Sequence, residues 1–110
     1  MKILILFGLM LLISGCATTS GPSEHDDFAQ YLTSEGIAMA GTDWCSHCKD
    51  QKALFGDSFQ YVDFKYSDNE QSWCVDHGVQ GYPTWVFPDG QLYPGTRSIE
   101  ELKSLSNYDG

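Results

Sequence analysis

Two cysteines two residues apart, Cys45-Ser46-His47-Cys48, stand between a short apolar run and a stretch of helical composition. The run Gly36-Ile37-Ala38-Met39-Ala40-Gly41 is apolar between glycines, which suits a buried strand. From Cys45 to Phe55 the composition is helical, and Gly56 supplies a C-terminal stop. At helical spacing Cys45, Cys48, Lys52 and Phe55 fall on one side. Cys45 is therefore expected where coil becomes helix. Backbone N–H groups lack partners there, and the helix dipole favours negative charge. Cysteines so placed have pKa values lowered to about 3.5–7.5, and the thiolate is the attacking species in thiol–disulfide exchange. Cys48, one turn on, is close enough to close a disulfide with Cys45. Ser46 and His47 lie between them, and His47 adds a positive or hydrogen-bonding group near the Cys45 sulfur. That favours the reduced form and makes the pair more oxidising.

The remaining segments place this unit in a larger order. Asp26-Asp27 followed by Phe28-Ala29-Gln30-Tyr31-Leu32 reads as a helix with acidic residues at its start. Phe59 to Tyr66 alternates and is rich in aromatics, so a strand is expected. Glu70 to His77 reads as a short helix closed by Gly78. Thr84 to Phe87 and Gln91 to Tyr93 flank Pro88-Asp89-Gly90 as a hairpin. Ser98-Ile99-Glu100-Glu101 fits a capping box opening a last helix, with Ile99, Leu102 and Leu105 toward the core. A strand–helix–strand unit followed by a hairpin and a helix gives an α/β sandwich with a mixed sheet flanked by helices.

The 110 residues set one domain as the ceiling. The formal net charge of −9 argues against binding nucleic acid or an anionic lipid face by charge. The first fifteen residues differ from the rest. Lys2 precedes the apolar run Ile3 to Ile13, which is too short to span a bilayer comfortably and reads as the core of a signal peptide. Ile13-Ser14-Gly15-Cys16 resembles the lipobox of bacterial lipoproteins. The resemblance implies cleavage after Gly15 and a diacylglycerol thioether on Cys16. At about 0.8 kcal/mol per buried methylene, two or three acyl chains anchor a protein firmly. Ala17 to His25 is small and polar, a flexible tether reaching about 30 Å when extended. The expected organisation is a signal at 1–15, a lipidated Cys16 and tether over 16–25, and a domain over 26–110. That places the domain outside the cytoplasm, lipid-anchored to a bacterial membrane, on the periplasmic side in a diderm host.

Trp44-Cys45-Ser46-His47-Cys48-Lys49 between a strand and a helix resembles a thioredoxin-fold active site. Gly81-Tyr82-Pro83-Thr84 before the hairpin resembles the cis-proline loop of that fold. WCSHCKDQKALFG at 44–56, then a strand, a lone Cys74, VQGYPTWVF at 79–87 and a closing LYPG at 92–95 are similar to the thioredoxin-like domain fused to vitamin K epoxide reductase homologues in plants and cyanobacteria. The resemblance implies a thiol–disulfide oxidoreductase that oxidises, reduces or isomerises protein disulfides. Cys45 is then the nucleophile and Cys48 the resolving thiol, while Ser46 and His47 tune the potential. Trp44, Tyr82, Pro83 and Thr84 shape a substrate groove, in which the Tyr82 backbone pairs with an extended substrate. Such a couple needs no bound cofactor. Its partners are protein thiols and disulfides and a membrane quinone-linked thiol oxidoreductase.

Two positions depart from these patterns. Met39 stands where many thioredoxins carry a buried aspartate, six residues before the first cysteine, so the usual proton acceptor is missing. Phe64 stands where the fused domains carry a further cysteine, which leaves Cys74 without its expected partner. Two other function classes use the same residues. Cys45-x-x-Cys48 with Cys74-x-x-His77 is a donor set suited to zinc or copper(I), although the gap exceeds ordinary finger spacing. A non-catalytic binding module on the same scaffold is the other, and an intact cysteine pair argues against it.

Overall fold

Strand β1 (Ala38–Gly41) is buried along its whole length, and this organises the molecule. Its side chains are small or apolar and alternate between two faces, so both faces must be covered by other elements. The computed structural model describes residues 23–110. The signal-like segment 1–15, Cys16 and tether residues 17–22 lie outside the described residues.

Helix α1 (Asp26–Ser34) precedes β1, with Asp26 and Asp27 in its first turn. Helix α2 (Ser46–Phe55) follows β1 and leads through a 3-10 turn to β2 (Asp63–Tyr66). Then come α3 (Gln71–Asp76), β3 (Thr84–Val86), β4 (Leu92–Pro94) and α4 (Ile99–Leu105). The sheet order is β2-β1-β3-β4. Strands β1 and β2 run parallel, with Ala38 opposite Asp63 and Gly41 opposite Tyr66. Strand β3 is antiparallel to both β1 and β4. The expected α/β sandwich with a mixed sheet is the one observed, in the expected order of elements.

Aromatic side chains carry the core. Phe28 of α1 stacks on Phe55 of α2 at 6.2 Å between ring centroids, and Phe55 meets Trp85 of β3 at 5.9 Å. All three are buried, along with Leu32, Met39 and Leu102. Each such side chain contributes about 1.5–3 kcal/mol by leaving water. Ser98 caps α4 as the capping-box pattern predicts, its hydroxyl accepting the Glu101 N–H at 3.0 Å. Ile99 and Leu102 are buried, whereas Leu105 is only half-buried and Ser106 takes a core-side place beyond it.

One expectation is corrected. The strand expected over Phe59 to Tyr66 is confined to Asp63–Tyr66, and Gly56–Tyr61 forms a 3-10 helix instead. Contacts with α1 hold that turn. The buried Ser58 hydroxyl donates to Asp26 Oδ1 at 2.8 Å, and Thr33 Oγ1 donates to the Tyr61 carbonyl at 2.6 Å. Phe59 then packs edge-on against both Phe55 and Phe64. Tertiary packing decides the conformation of a segment whose alternation alone suits a strand. Gly56 does turn the chain as expected, at φ +60°.

A buried amide locks α2 to the sheet. Gln51 is fully buried, and its Oε1 accepts from Trp85 Nε1 at 2.9 Å and from the Arg97 N–H at 2.8 Å. Its Nε2 donates to the Arg97 carbonyl at 2.9 Å. Gln51→Leu strands the buried Trp85 indole N–H and the part-buried Arg97 N–H, each costing about 1–3 kcal/mol when left unpaired. A loss of about 3 kcal/mol is expected in chemical denaturation. A loss below about 1 kcal/mol would show that these donors find other partners.

Candidate active site

The site forms where β1 ends. Thr42 is fully buried, and its Oγ1 accepts the Cys45 N–H at 3.1 Å. This bond turns the chain so that Cys45, in an extended conformation at φ −82° and ψ 119°, becomes the N-cap of α2. The cap acceptor is its own sulfur, which takes the Cys48 N–H at 3.2 Å. Sulfur replaces the side-chain oxygen that usually fills this role. An anionic sulfur strengthens such a bond, because charge-assisted hydrogen bonds exceed neutral ones.

Cys48 is fully buried one turn along, and both thiols are free. Burial pushes the Cys48 thiol up to about 11, and its hydrogen bond to Cys45 adds to the effect. A main-chain hydrogen bond from Thr42 and the Lys52 ammonium oppose the rise. Room for this sulfur comes from Gly41. A Cβ at that position would lie 3.0 Å from Cys48 Sγ and 2.8 Å from Phe64 Cε1.

The segment before β3 closes the site from the other side. The Tyr82–Pro83 peptide bond is cis. The Cys45 thiol donates to the Tyr82 carbonyl at 3.4 Å. Thr84 is buried, and its Oγ1 donates to the Gly81 carbonyl at 2.7 Å. The Gly95 N–H donates to the Pro83 carbonyl at 2.7 Å. Trp44 is 69 % exposed and meets Tyr82 edge-on at 6.4 Å. Trp44 and Tyr82 thus form an apolar wall beside the Cys45 sulfur. A cleft of about 300 Å³, lined by Gly78, Gln80, Gly81, Thr84, Leu92 and Pro94, adjoins the same loop.

The structure therefore brings Trp44, Cys45, Cys48, Tyr82, Pro83 and Thr84 into one place. Ser46 and His47 occupy the exposed first turn of α2. The His47 ring lies 3.8 Å from Asp50, and its carbonyl accepts from Thr96 Oγ1 at 3.0 Å. Met39, six residues before Cys45, is fully buried in β1.

Cys74 is buried on α3, and burial followed by the nearby Glu70 carboxylate raises its thiol. His77 binds the Trp73 carbonyl through Nδ1 at 2.8 Å and stacks on the Trp73 ring. Among the described residues no three His, Cys, Asp or Glu side chains come together as metal ligands. The CxxC and CxxH pairs are thus not assembled into one donor set.

Three neighbours of the cysteines do not stand out in the sequence as site residues. Gln51 is a polar residue on the core side of α2, three positions after Cys48. Asp43 and Tyr66 meet through a hydrogen bond from the Tyr66 hydroxyl to the Asp43 carboxylate, across the gap between the β1 loop and β2. That bond, with burial next, pushes the Tyr66 hydroxyl up to about 12. Nothing in the spacing of residues 43 and 66 announces the pair; only the parallel register of β1 and β2 brings them together.

The solved thioredoxin NaTrxh of Nicotiana alata superposes with a TM-score of 0.54, covering 86 % of this chain and 100 % of that one at 16 % identity. The chain has a thioredoxin-like fold. This domain is similar in sequence to the thiol-disulfide oxidoreductase LTO1 of Arabidopsis thaliana, at 32 % identity over 89 residues and 73 % of this chain. It is also similar to the protein disulfide-isomerase-like protein EhSep2 of Emiliania huxleyi, at 30 % identity over 117 residues and 89 % of this chain. The chain spans 23 % and 52 % of the lengths of those two relatives. No family model matches the chain.

The thioredoxin-like geometry has two measurable consequences. Iodoacetamide at mildly alkaline pH is expected to label Cys45 and to spare Cys48, which is buried and protonated there; peptide mass spectrometry reads the adducts. Equal labelling of the two would contradict the burial. Gly41→Ala forces Phe64 or Cys48 to move, and overpacking of this kind costs about 1–3 kcal/mol. Thermal unfolding should show that loss, with slower disulfide formation between Cys45 and Cys48.

Proposed function

We propose that the protein is a thiol–disulfide oxidoreductase acting on protein thiols and disulfides, tethered to a membrane outside the cytoplasm. One observation carries the catalytic part: the Cys45 sulfur caps α2 and lies against the Tyr82 carbonyl of the cis-proline loop, with Cys48 one turn behind it. The names of the relatives support the same chemistry.

The exchange proceeds in two displacements. The Cys45 thiolate attacks one sulfur of a substrate disulfide. A Cys45–substrate disulfide forms, the substrate S–S bond breaks, and the second substrate sulfur leaves as a thiolate that takes a proton. Cys48 then loses its proton and attacks the Cys45 sulfur. The Cys45–Cys48 disulfide forms, and the first substrate sulfur leaves as a thiolate and is protonated. The substrate gains two electrons and two protons, and the dithiol gives up both. Run backwards, the same steps oxidise a substrate dithiol. Trp44 and Tyr82 offer an apolar wall to the substrate, and backbone groups of the 81–84 loop offer it hydrogen bonds. Ser46 and His47 set the potential through the polarity of the first turn, and no bound cofactor is required.

The tether rests on the sequence. Cys16 carries the lipid, residues 17–25 give the domain reach, and a quinone-linked thiol oxidoreductase in the same membrane recycles the pair. Among the described residues no helix is long and apolar enough to cross a membrane.

Insulin reduction by the parent protein beside Cys45→Ser tests the chemistry. Activity is expected to be abolished in Cys45→Ser, whereas Cys48→Ser should accumulate the substrate mixed disulfide; equal activity in parent and Cys45→Ser removes Cys45 as nucleophile. Equilibration with glutathione gives the direction. A potential near about −120 mV marks an oxidase and one near about −270 mV a reductase. Partition into detergent that disappears in Cys16→Ser would establish the anchor.

A further inference from the structure

Cys48 has to become anionic to release substrate, yet it is buried beneath the site with its thiol pushed up to about 11. The strand behind it offers no charge: Ala38, Met39 and Ala40 of β1 are apolar and buried, and Phe64 of β2 is apolar. Lys52 lies four residues after Cys48 on α2, hence on the same face of the helix.

Its ammonium is held in place from three sides. Nζ sits 4.4 Å from the centroid of the Phe64 ring and 5.7 Å from that of Phe59. It pairs with Asp43 Oδ1 at 3.6 Å, and the other oxygen of Asp43 accepts from the Tyr66 hydroxyl. The Lys52 side chain is only 30 % exposed, so water screens it less than a free surface lysine. Phe64 links the two groups, because its ring edge and Cys48 Sγ crowd the same point beside Gly41 while its ring also meets Lys52.

We propose that Lys52, fixed by Asp43 and the Phe64 ring, is a positioning residue that stabilises the Cys48 sulfur as an anion during the displacement that frees substrate from Cys45. This rests on the exchange reading of the cysteine pair. The balance of the step is unchanged: the Cys48 proton leaves, the Cys45–Cys48 bond forms, and the substrate sulfur departs with the electron pair and is protonated. Lys52 donates no proton in this step and acts by field alone. The charged or titratable groups around this thiol are Cys45 and Lys52 at Cys48, and Asp43 and Tyr66 at the ammonium. His47, Lys49 and Asp50 of the same helix are exposed. Met39 excludes water and charge from the sheet side, so the supporting charge comes from the helix.

Lys52→Met keeps the length of the stem and removes the charge; Lys52→Gln replaces it should the methionine form fail to fold. Carbon-13 NMR of the Cys48 Cβ in the reduced full chain, followed from neutral to strongly alkaline pH, reads the ionisation without requiring activity. Removing a nearby cation should move that titration higher, and at neutral pH, where a lysine is charged, the effect is about one pH unit. The thiolate fraction then falls about tenfold while its nucleophilicity rises about threefold, so release of glutathione from a Cys45 mixed disulfide should slow about threefold. Formation of that mixed disulfide from glutathione disulfide should be unchanged, and Lys52→Arg should restore both readings. A Cys48 titration unmoved by loss of the charge overturns the assignment, as does an arginine form as impaired as the methionine form. A parent protein that glutathione disulfide does not convert to the Cys45–Cys48 disulfide sinks the exchange reading instead, while the titration still reports on Lys52.

Discussion

A sulfur atom fills the cap of α2, and the site depends on that bond from the Cys48 N–H to the Cys45 sulfur. The first amides of a helix have no partners within it, so something must accept from them. A serine or aspartate there would end the matter as local structure. A cysteine puts a nucleophilic atom in that same acceptor position. The helix is thereby both scaffold and reagent. Its second cysteine is carried one turn inward, where it is shielded from water.

The surrounding contacts hold that bond in register. Thr42 fixes the approach to the cap, and Gly41 leaves the volume that Cys48 occupies. Gln51 ties the middle of α2 to Trp85, which directly follows the cis-proline loop and Thr84. The loop and the helix start are thus held to each other through the core as well as across the open site. Burial has opposite consequences for the two sulfurs. Cys45 remains half-buried and reaches the surface beside Trp44, while Cys48 is closed off and its ionisation made difficult. In the exchange proposed for this pair, one thiol captures substrate from outside and the other reaches only the sulfur in front of it.

Much of this is legible along the chain. The glycine-bounded apolar run, the helical stretch after it, the capping box at Ser98 and the proline before the hairpin each have a local cause, so each can be read locally. The segment from Gly56 to Tyr61 defeats such reading. The alternation that begins at Phe59 suits a strand, while the actual conformation answers to hydrogen bonds with α1 from Ser58 and Thr33. Helical periodicity places Leu105 too deep, since α4 ends there and Ser106 closes the turn.

Local chemistry was enough to specify the reactive pair, its place at a helix start, and the fold class, because capping and hydrophobic period act over a few neighbouring residues. Packing in three dimensions set how buried each sulfur is, which carbonyl faces Cys45, and that Asp43, Lys52, Phe64 and Tyr66 meet beside the site. Those facts follow from strand register and from the seating of α2 on the sheet, and both bring together residues whose separation along the chain carries no signal.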